Sequence, residues 1–430
     1  MTAKALRQNI ADGALDLRLS VLYGEDGVKN ARARYISVLD DFISRYSQTS
    51  QDVSLFSVPG RSELSGNHTD HNHGKVIAGS VDLDVIAVAA RTDGNIVRVK
   101  SENFPEDIVD LDSYNEPDPS RFGHSDALIA GVAAALSHNG RKIGGFVAST
   151  SSNVLKGSGL SSSAAFENMI GTIFSHLYNG GEIGYIEIAQ DSQYAENVFF
   201  GKPCGLMDQV ACAAGGIVAI DFNDPAAPVV SKPDFDLTEH GYCLCVVDTG
   251  GNHADLTGDY AAVPAEMRSV AEYFGCKVLR DVPEDKFYAS IPALRTACGD
   301  RAVMRAAHFF EENRRVDAQL TALKENDIDA FFEGVRASGL SSFCFLQNVY
   351  TVKNVSEQGL SLALCLSDRF FRKNGICGAY RVHGGGFAGT IQAYLPIDRA
   401  AEYASAMDAV FGDGACHVLH IRRSGAVRVF

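Results

Sequence analysis

The sequence contains no apolar run approaching the roughly 20 residues that a membrane-spanning helix needs. Met1 to Leu15 is mixed and polar, not a charged start followed by an apolar stretch. The expectation is therefore a chain with neither a spanning helix nor a secretion signal. Positive charge is also short: 38 Lys and Arg stand against 53 Asp and Glu, a net charge of −15. That excess of acid argues against broad binding to nucleic acid or anionic membrane, although a local basic site for a phosphorylated ligand stays open. There is no Cys-x-x-Cys among the ten cysteines, and only Cys243 and Cys245 lie close together. They are expected to be reduced, mostly buried thiols of a cytoplasmic protein, which excludes a disulfide framework and disfavours structural zinc. Internal repeats and low-complexity tracts are absent.

What remains is a globular composition. The 430 residues are 46% hydrophobic and 21% charged, enough for a large core and, by length, two or three domains. The first 50 residues are amphipathic and helical, with Leu15, Leu19, Val21 and Leu22 leading into Tyr23-Gly24 and a second helical pattern over 31–46. A β-rich block follows, over 53–58, 76–90 and 96–99. Helices are expected over 126–136 and 186–200, and a strand over 144–151. The proline-rich turn Asp224-Pro225-Ala-Ala-Pro228 marks a candidate junction, giving domains 1–225 and 226–430. Beyond it the pattern predicts a strand over 243–247 and helices near 261–274, 302–323 and 327–338. Strands and helices that segregate, not strictly alternate, predict an α+β protein.

Four polar, glycine-bearing segments stand out. The first is Gly157-Ser-Gly159-Leu160-Ser161-Ser162-Ser163-Ala164-Ala165. Two glycines open to unusual backbone angles feed a helix whose N-terminal N–H groups and dipole attract an anion, most naturally phosphate. It lacks the Gly-Lys-Ser/Thr ending of a Walker loop and the spacing of a Rossmann turn. The plain alternative is a glycine loop with a serine cap. The second segment runs Pro59-Gly60-Arg61 to Gly66-Asn67-His68-Thr69-Asp70-His71-Asn72-His73-Gly74, dense in polar groups between apolar strands. Converging Asp, Asn and His groups suit a hydroxyl-rich ligand such as a sugar. A metal site built from His68, His71, His73 and Asp70, or a solvated turn, remain as other readings. In the third, Glu196 and Asp208 flank Gly201-Lys-Pro203-Cys-Gly205. Asp208 sits among apolar neighbours, where a carboxylate has a partner, a task or a cap to make. Glu196 could equally be an exposed helix residue. In the fourth, Gly384-Gly385-Gly386 precede a strand, allowing close backbone approach or simply a tight loop.

In this order, from about residue 53 to the C-terminus, the four segments resemble the GHMP kinase superfamily, and the galactokinase family within it. The resemblance implies a two-domain GHMP kinase fold, with a ribosomal protein S5 domain 2-like N-terminal domain, a C-terminal α+β domain and the active site between them. It also implies ATP-dependent phosphorylation of galactose at its C1 hydroxyl, with Mg²⁺. Asp208 would face that hydroxyl, with Arg61 beside it. Gly157, Ser158, Gly159, Leu160, Ser161, Ser162, Ser163 and Ala164 would hold the ATP phosphates. Ser163, or a neighbouring serine, and Glu196 would hold the metal. Asn67, His68, Asp70, Gly205 and Tyr260 would line the sugar, and Gly384, Gly385 and Gly386 form the third motif. Ser101, Asn103 and Phe104 are candidates for the adenine pocket. The partners implied are sugar and ATP, without nucleic acid or membrane, for a monomer or weak oligomer.

The chain departs from the family pattern where Asn67 replaces a glutamate, His71 replaces a tyrosine, and Arg61-Ser-Glu-Leu-Ser-Gly66 replaces Arg-Val-Asn-Leu-Ile-Gly. Hydrogen bonds to charged groups contribute on the order of 1.5–3 kcal/mol, so losing that glutamate would alter sugar preference if position 67 reads the sugar. A 1-kinase for a modified galactose or a sugar acid is the alternative that follows. A non-catalytic sugar sensor is disfavoured by the complete serine loop and by Asp208.

Overall fold

A computed structural model of the chain describes residues 1–46, 52–113, 116–155, 159–251 and 256–430. The apolar run after residue 75 forms the spine of the larger sheet. That sheet contains β1 (Val53–Ser65), β2 (Lys75–Arg91), β3 (Ile96–Ser101), β4 (Glu106–Asp110), β5 (Phe146–Ser152), β6 (Ile217–Asp221) and β7 (Val229–Ser231). β2 is antiparallel to β1 along one edge, and to β5 and β6 along the other. A smaller antiparallel sheet contains β8 (Tyr242–Asp248), β9 (Ala379–Val382), β10 (Thr390–Pro396) and β11 (Cys416–Leu419), in the order β11-β8-β10-β9. The last strand, β12 (Val427–Arg428), returns to the first sheet and pairs with β1 at Phe56 and Ser57.

β2 is apolar on both faces because both faces are covered. Successive side chains alternate sides. Ile86, Val88 and Ala90 pack under the N-terminal helices Ala3–Ala11 and Asp16–Arg45, against Leu19, Tyr35, Leu39 and Phe42. Val85, Ala87 and Ala89 pack on the opposite side in the main core, with Ile170, Ile173 and Phe174 of the helix Ser162–Tyr178. The helix over 16–45 breaks its dihedrals at Gly24 (φ 72°), and the neighbouring Tyr23 hydroxyl turns in to the buried carboxylate of Asp84. Arg34 and Arg422 reach the same carboxylate at 2.7 and 3.1 Å.

β1 runs well past its apolar start. The alternating pattern predicted a strand only over 53–58, yet all thirteen residues to Ser65 are strand and buried. Its polar second half is buried because the smaller sheet and a C-terminal helix supply partners. Ser62 Oγ meets His383 Nε2 at 3.1 Å and donates to Gln392, Glu63 pairs with Arg381 at 3.1 Å, and Ser65 donates to Gln319. The candidate site lies along this seam between the two sheets.

Candidate active site

Arg61 sits on β1 and Asp208 in the first turn of the helix Met207–Ala214. Arg61 Nε donates to Asp208 Oδ1 at 2.8 Å and Nη2 to the same oxygen at 2.5 Å. The hydroxyl of Ser161 donates to Asp208 Oδ2, and Arg61 Nη1 donates to the carbonyl of Gly159. Burial alone would raise the Asp208 pKa. The Arg61 charge and the hydrogen bonds from Ser161 and Arg61 outweigh it and hold the carboxyl below its ordinary range. The side chain keeps 31% of its surface exposed, so this ionised carboxylate is open to a ligand.

The serine loop brings its helix to the same point. Gly159 is left-handed (φ 74°), as is Ser161 (φ 59°), and Ser162 starts the helix. The N–H groups of Ser162, Ser163 and Ala164 lack intrahelical acceptors by position. Leu160 is buried, and its carbonyl accepts from the Arg61 N–H at 3.1 Å, tying the loop to β1. Gly157 and Ser158 lie outside the described residues. A cavity of about 910 Å³ opens beside this turn, and its walls include Ser162, Ser163 and Phe166 together with Ser101, Asn103 and Phe104. The three residues proposed from sequence for adenine therefore share one cavity with the serines.

Glu196 is buried in a π-helical turn, Ala195–Phe199, that follows the helix Tyr185–Tyr194. The sequence pattern had predicted one continuous helix over 186–200. The wider turn breaks that regularity where Glu196 accepts from Ser163 Oγ (3.2 Å), Lys202 Nζ (2.8 Å) and Gln209 Nε2 (2.9 Å). Gln209 also donates to Glu167, whose other carboxylate oxygen is buried without a partner. Burial, reinforced by the Glu196 charge, pushes the Glu167 pKa well up. Glu167 carried no motif signal beyond its helical spacing from Ser163.

On the sugar-motif side, Asp70 packs so closely on Gly205 that a Cβ there would lie 2.3 Å from Asp70 Oδ2. Gly205→Ala is therefore expected to displace Asp70 and raise KM for the acceptor more than KM for the nucleotide, measured by steady-state kinetics with each substrate varied. Burial, helped by the charge of Asp208, raises the Asp70 pKa. His68 Nε2 lies 2.9 Å from the Gly385 carbonyl, and Tyr260 donates to the Gly386 carbonyl at 2.7 Å. Burial lowers His68 to about 4 and His71 to about 3, so both are neutral imidazoles. The metal reading of the histidine string is not met. His68 faces the glycine loop, His71 Nδ1 is 2.9 Å from Asn72 Nδ2, and among the described residues no three such ligands converge.

Asn67 corrects the sequence expectation. It is fully buried. Its Nδ2 donates to Glu63 and to the Gly384 carbonyl, and its Oδ1 accepts from Asn348 and Ser342. A carboxamide has two donors and two acceptors, so none is left for a sugar. The case for altered sugar preference at this position loses its physical basis. Asn348, Ser342 and the backbone anchors Glu312 and His308 were not readable as site residues, because they join the motif only through tertiary contacts.

Residues 127–216 match the sequence model of the GHMP kinases N terminal domain, and residues 40–91 match the galactokinase galactose-binding signature. A galactokinase of Streptomyces coelicolor is 32% identical over 341 residues, covering 78% of this chain and 83% of that protein. The chain belongs to the galactokinase family. A second member, from Actinobacillus pleuropneumoniae, is 31% identical over 347 residues, covering 79% of this chain and 84% of its own length. The fold agrees. The crystal structure of Lactococcus lactis galactokinase complexed with galactose superposes with a TM-score of 0.74 at 23% identity, over 90% of this chain and 98% of that one. The Methanococcus jannaschii mevalonate kinase superposes at 0.60 and 16% identity, over 87% and 99%. The family therefore carries the GHMP kinase fold here, and the resemblance drawn from the four motifs holds. Among the described residues no helix is long and apolar enough to cross a membrane.

Proposed function

We propose that the protein transfers the terminal phosphoryl group of ATP to the C1 hydroxyl of galactose. The observation that carries this reading is the Arg61–Asp208 pair, set against the Gly159–Ser161 turn on one side and Asp70–Gly205 on the other. An acceptor hydroxyl beside Asp208 would meet a carboxylate already ionised at neutral pH. Such a group orients the hydroxyl by accepting its hydrogen bond, and takes the proton as the bond to phosphorus forms. Phosphoryl transfer of this kind rests on positioning and charge neutralisation more than on a strong base. Arg61 opposes the negative charge that gathers near Asp208, and the helix N-terminus at Ser162 does the same for the phosphates.

ATP would fill the cavity walled by Ser101, Asn103 and Phe104 and reach the serines with its phosphates. Mg²⁺ would be held by Ser163 and Glu196. The donor set fits a hard cation that takes oxygen ligands and keeps phosphate and water oxygens for the rest, and the orphaned oxygen of Glu167 is a further buried oxygen behind Glu196. When bound, the ion would neutralise charge on the transferring phosphoryl group. Asp70, Gly205 and Tyr260 would border the sugar.

Measuring ADP release with ATP and a panel of sugars tests the reading. Galactose is expected to be turned over faster than glucose, 6-deoxygalactose and galacturonate. ADP release with galactose no faster than with water would sink the assignment, and a preference for galacturonate would revive the sugar-acid alternative.

A further inference from the structure

We infer that Asn67 is a positioning residue for the glycine loop Gly384–Gly386, which it draws back so that two main-chain N–H groups face the nucleotide phosphates. The inference rests on the kinase reading of the site and goes beyond it.

All three glycine carbonyls of that loop are engaged by side chains from outside it. Asn67 Nδ2 donates to Gly384 O at 2.8 Å. His68 Nε2 lies 2.9 Å from Gly385 O, with Asn348 Nδ2 at 3.2 Å from the same oxygen. Tyr260 holds Gly386 O at 2.7 Å. In a trans peptide the carbonyl of one residue and the N–H of the next point in opposite directions. Pinning Gly384 O and Gly385 O therefore turns the N–H groups of Gly385 and Gly386 the other way. Neither donates to any acceptor among the described residues. Gly384 and Gly386 are left-handed at φ 65° and 78°, with Gly385 between them, a turn whose consecutive N–H groups can cradle an anion.

The loop is also fixed relative to the serine turn. A Cβ on Gly159 would lie 3.3 Å from the ring of His383, and that ring is locked between Ser62 at 3.1 Å and Thr390 at 2.9 Å. The two glycine segments thus sit side by side, and an anion reaching the serine turn lies next to the freed N–H groups.

Asn67 is built for rigidity. Its Nδ2 also donates to Glu63 Oε1 at 2.9 Å, which accepts from Arg381 Nη2 at 3.1 Å, and Arg381 lies on the strand that enters the loop. Its Oδ1 accepts from Asn348 at 2.8 Å and Ser342 at 3.2 Å. Its own N–H donates to Glu312 at 3.3 Å, and its carbonyl is 2.9 Å from His308 Nε2. A side chain with every donor and acceptor engaged inside the protein holds other groups in place.

The test uses Asn67→Ala and the milder Ser342→Ala, which removes one of the bonds that orient Asn67. Binding of a fluorescent ATP analogue without sugar is measured alongside kcat and both KM values. Asn67→Ala is expected to weaken the analogue and raise KM for ATP about tenfold, and to lower kcat by about 10- to 100-fold, as small misplacements at a reacting centre do. KM for galactose and the preference for galactose over 6-deoxygalactose are expected to stay within about twofold. Ser342→Ala is expected to move the same parameters in the same direction by about two- to threefold, and it decides the matter if Asn67→Ala does not fold. The positioning role is overturned if either variant shifts KM for galactose or the 6-deoxygalactose preference and leaves the ATP parameters alone. It is equally overturned if a folded variant changes only its melting temperature. Wild-type protein that binds the analogue but phosphorylates no sugar would fail the proposed function alone, and the analogue binding would still decide the role of Asn67.

Discussion

Asp208→Asn is expected to lower kcat by on the order of 10²–10⁴-fold, the range for losing a positioned proton acceptor. Asparagine keeps the size of the side chain and an oxygen for the Arg61 hydrogen bonds, while its NH2 faces the Ser161 hydroxyl, which can turn to accept, so the local packing survives. What it loses is the negative charge that accepts the hydroxyl proton. KM for ATP is expected to change little, because the asparagine stays in contact with the Ser161 hydroxyl and leaves the N–H groups of Ser162, Ser163 and Ala164 as they are. The pH profile carries a second, independent part of this expectation. Burial raises the Asp208 pKa, but the Arg61 charge and the hydrogen bonds from Ser161 and Arg61 lower it further, to a net value below the ordinary one. With a depressed pKa, the active ionised form persists through the neutral range and is lost only as pH falls below the usual carboxylate region. A wild-type rate profile with an acid limb from this group near neutrality would contradict the geometry.

Arg381→Met is expected to destabilise the fold by about 3–5 kcal/mol, the usual result of leaving one member of a buried ion pair alone. Arg381 is fully buried and makes the only ion pair to Glu63 among the described residues. The loss is expected to depend on pH, and its sign follows from Glu63. Burial raises that carboxyl, against the pull of Arg381, Arg61 and Asn67, from 4.5 to about 7. A carboxyl raised on folding favours the folded state while it stays protonated. Its contribution therefore declines as pH rises from the unfolded pKa towards the folded one. Without Arg381 the folded pKa moves higher still, and the decline extends above pH 7. Urea unfolding midpoints at a pH below and a pH above that value should separate more widely in the variant than in the wild type. Equal separations would show that Glu63 is not the group in play.

Much of the site was legible in the chain because its chemistry is written in short strings. The serine loop, the Arg61 strand and Asp208 each carry their neighbours with them, and their convergence follows once the order of motifs is seen. The apolar stretch over 76–90 was readable as strand for the same local reason. Position 67 was not legible. Its partners stand at 63, 342, 348 and 384, and no spacing rule joins a residue in the turn after β1 to a carbonyl in the loop between β9 and β10. The second half of β1 was hidden in the same way. Ser62, Glu63 and Ser65 read as an irregular polar segment, and they are buried strand only because Arg381, His383, Gln392 and Gln319 arrive from more than 250 positions away. The π-helical turn at Glu196 was missed because its apolar spacing is that of a regular helix, and only the demand of the Ser163 and Gln209 contacts widens it.

The return of β12 to β1 bears on the order of assembly. Arg422 is sealed on Asp84, the carbonyl of Phe430 accepts from Leu55, and Val53 donates to the carbonyl of Met1. During synthesis, the sheet that begins near residue 53 waits with the outer edge of β1 open, and with the Asp84 carboxylate short of its Arg422 partner, until residues 422–430 have left the ribosome. The smaller sheet, whose four strands lie between 242 and 419, has all its partners earlier. The sheet begun first is thus completed only after the last strand of the smaller sheet has been made, and until then β1 keeps an unpaired edge at Phe56 and Ser57.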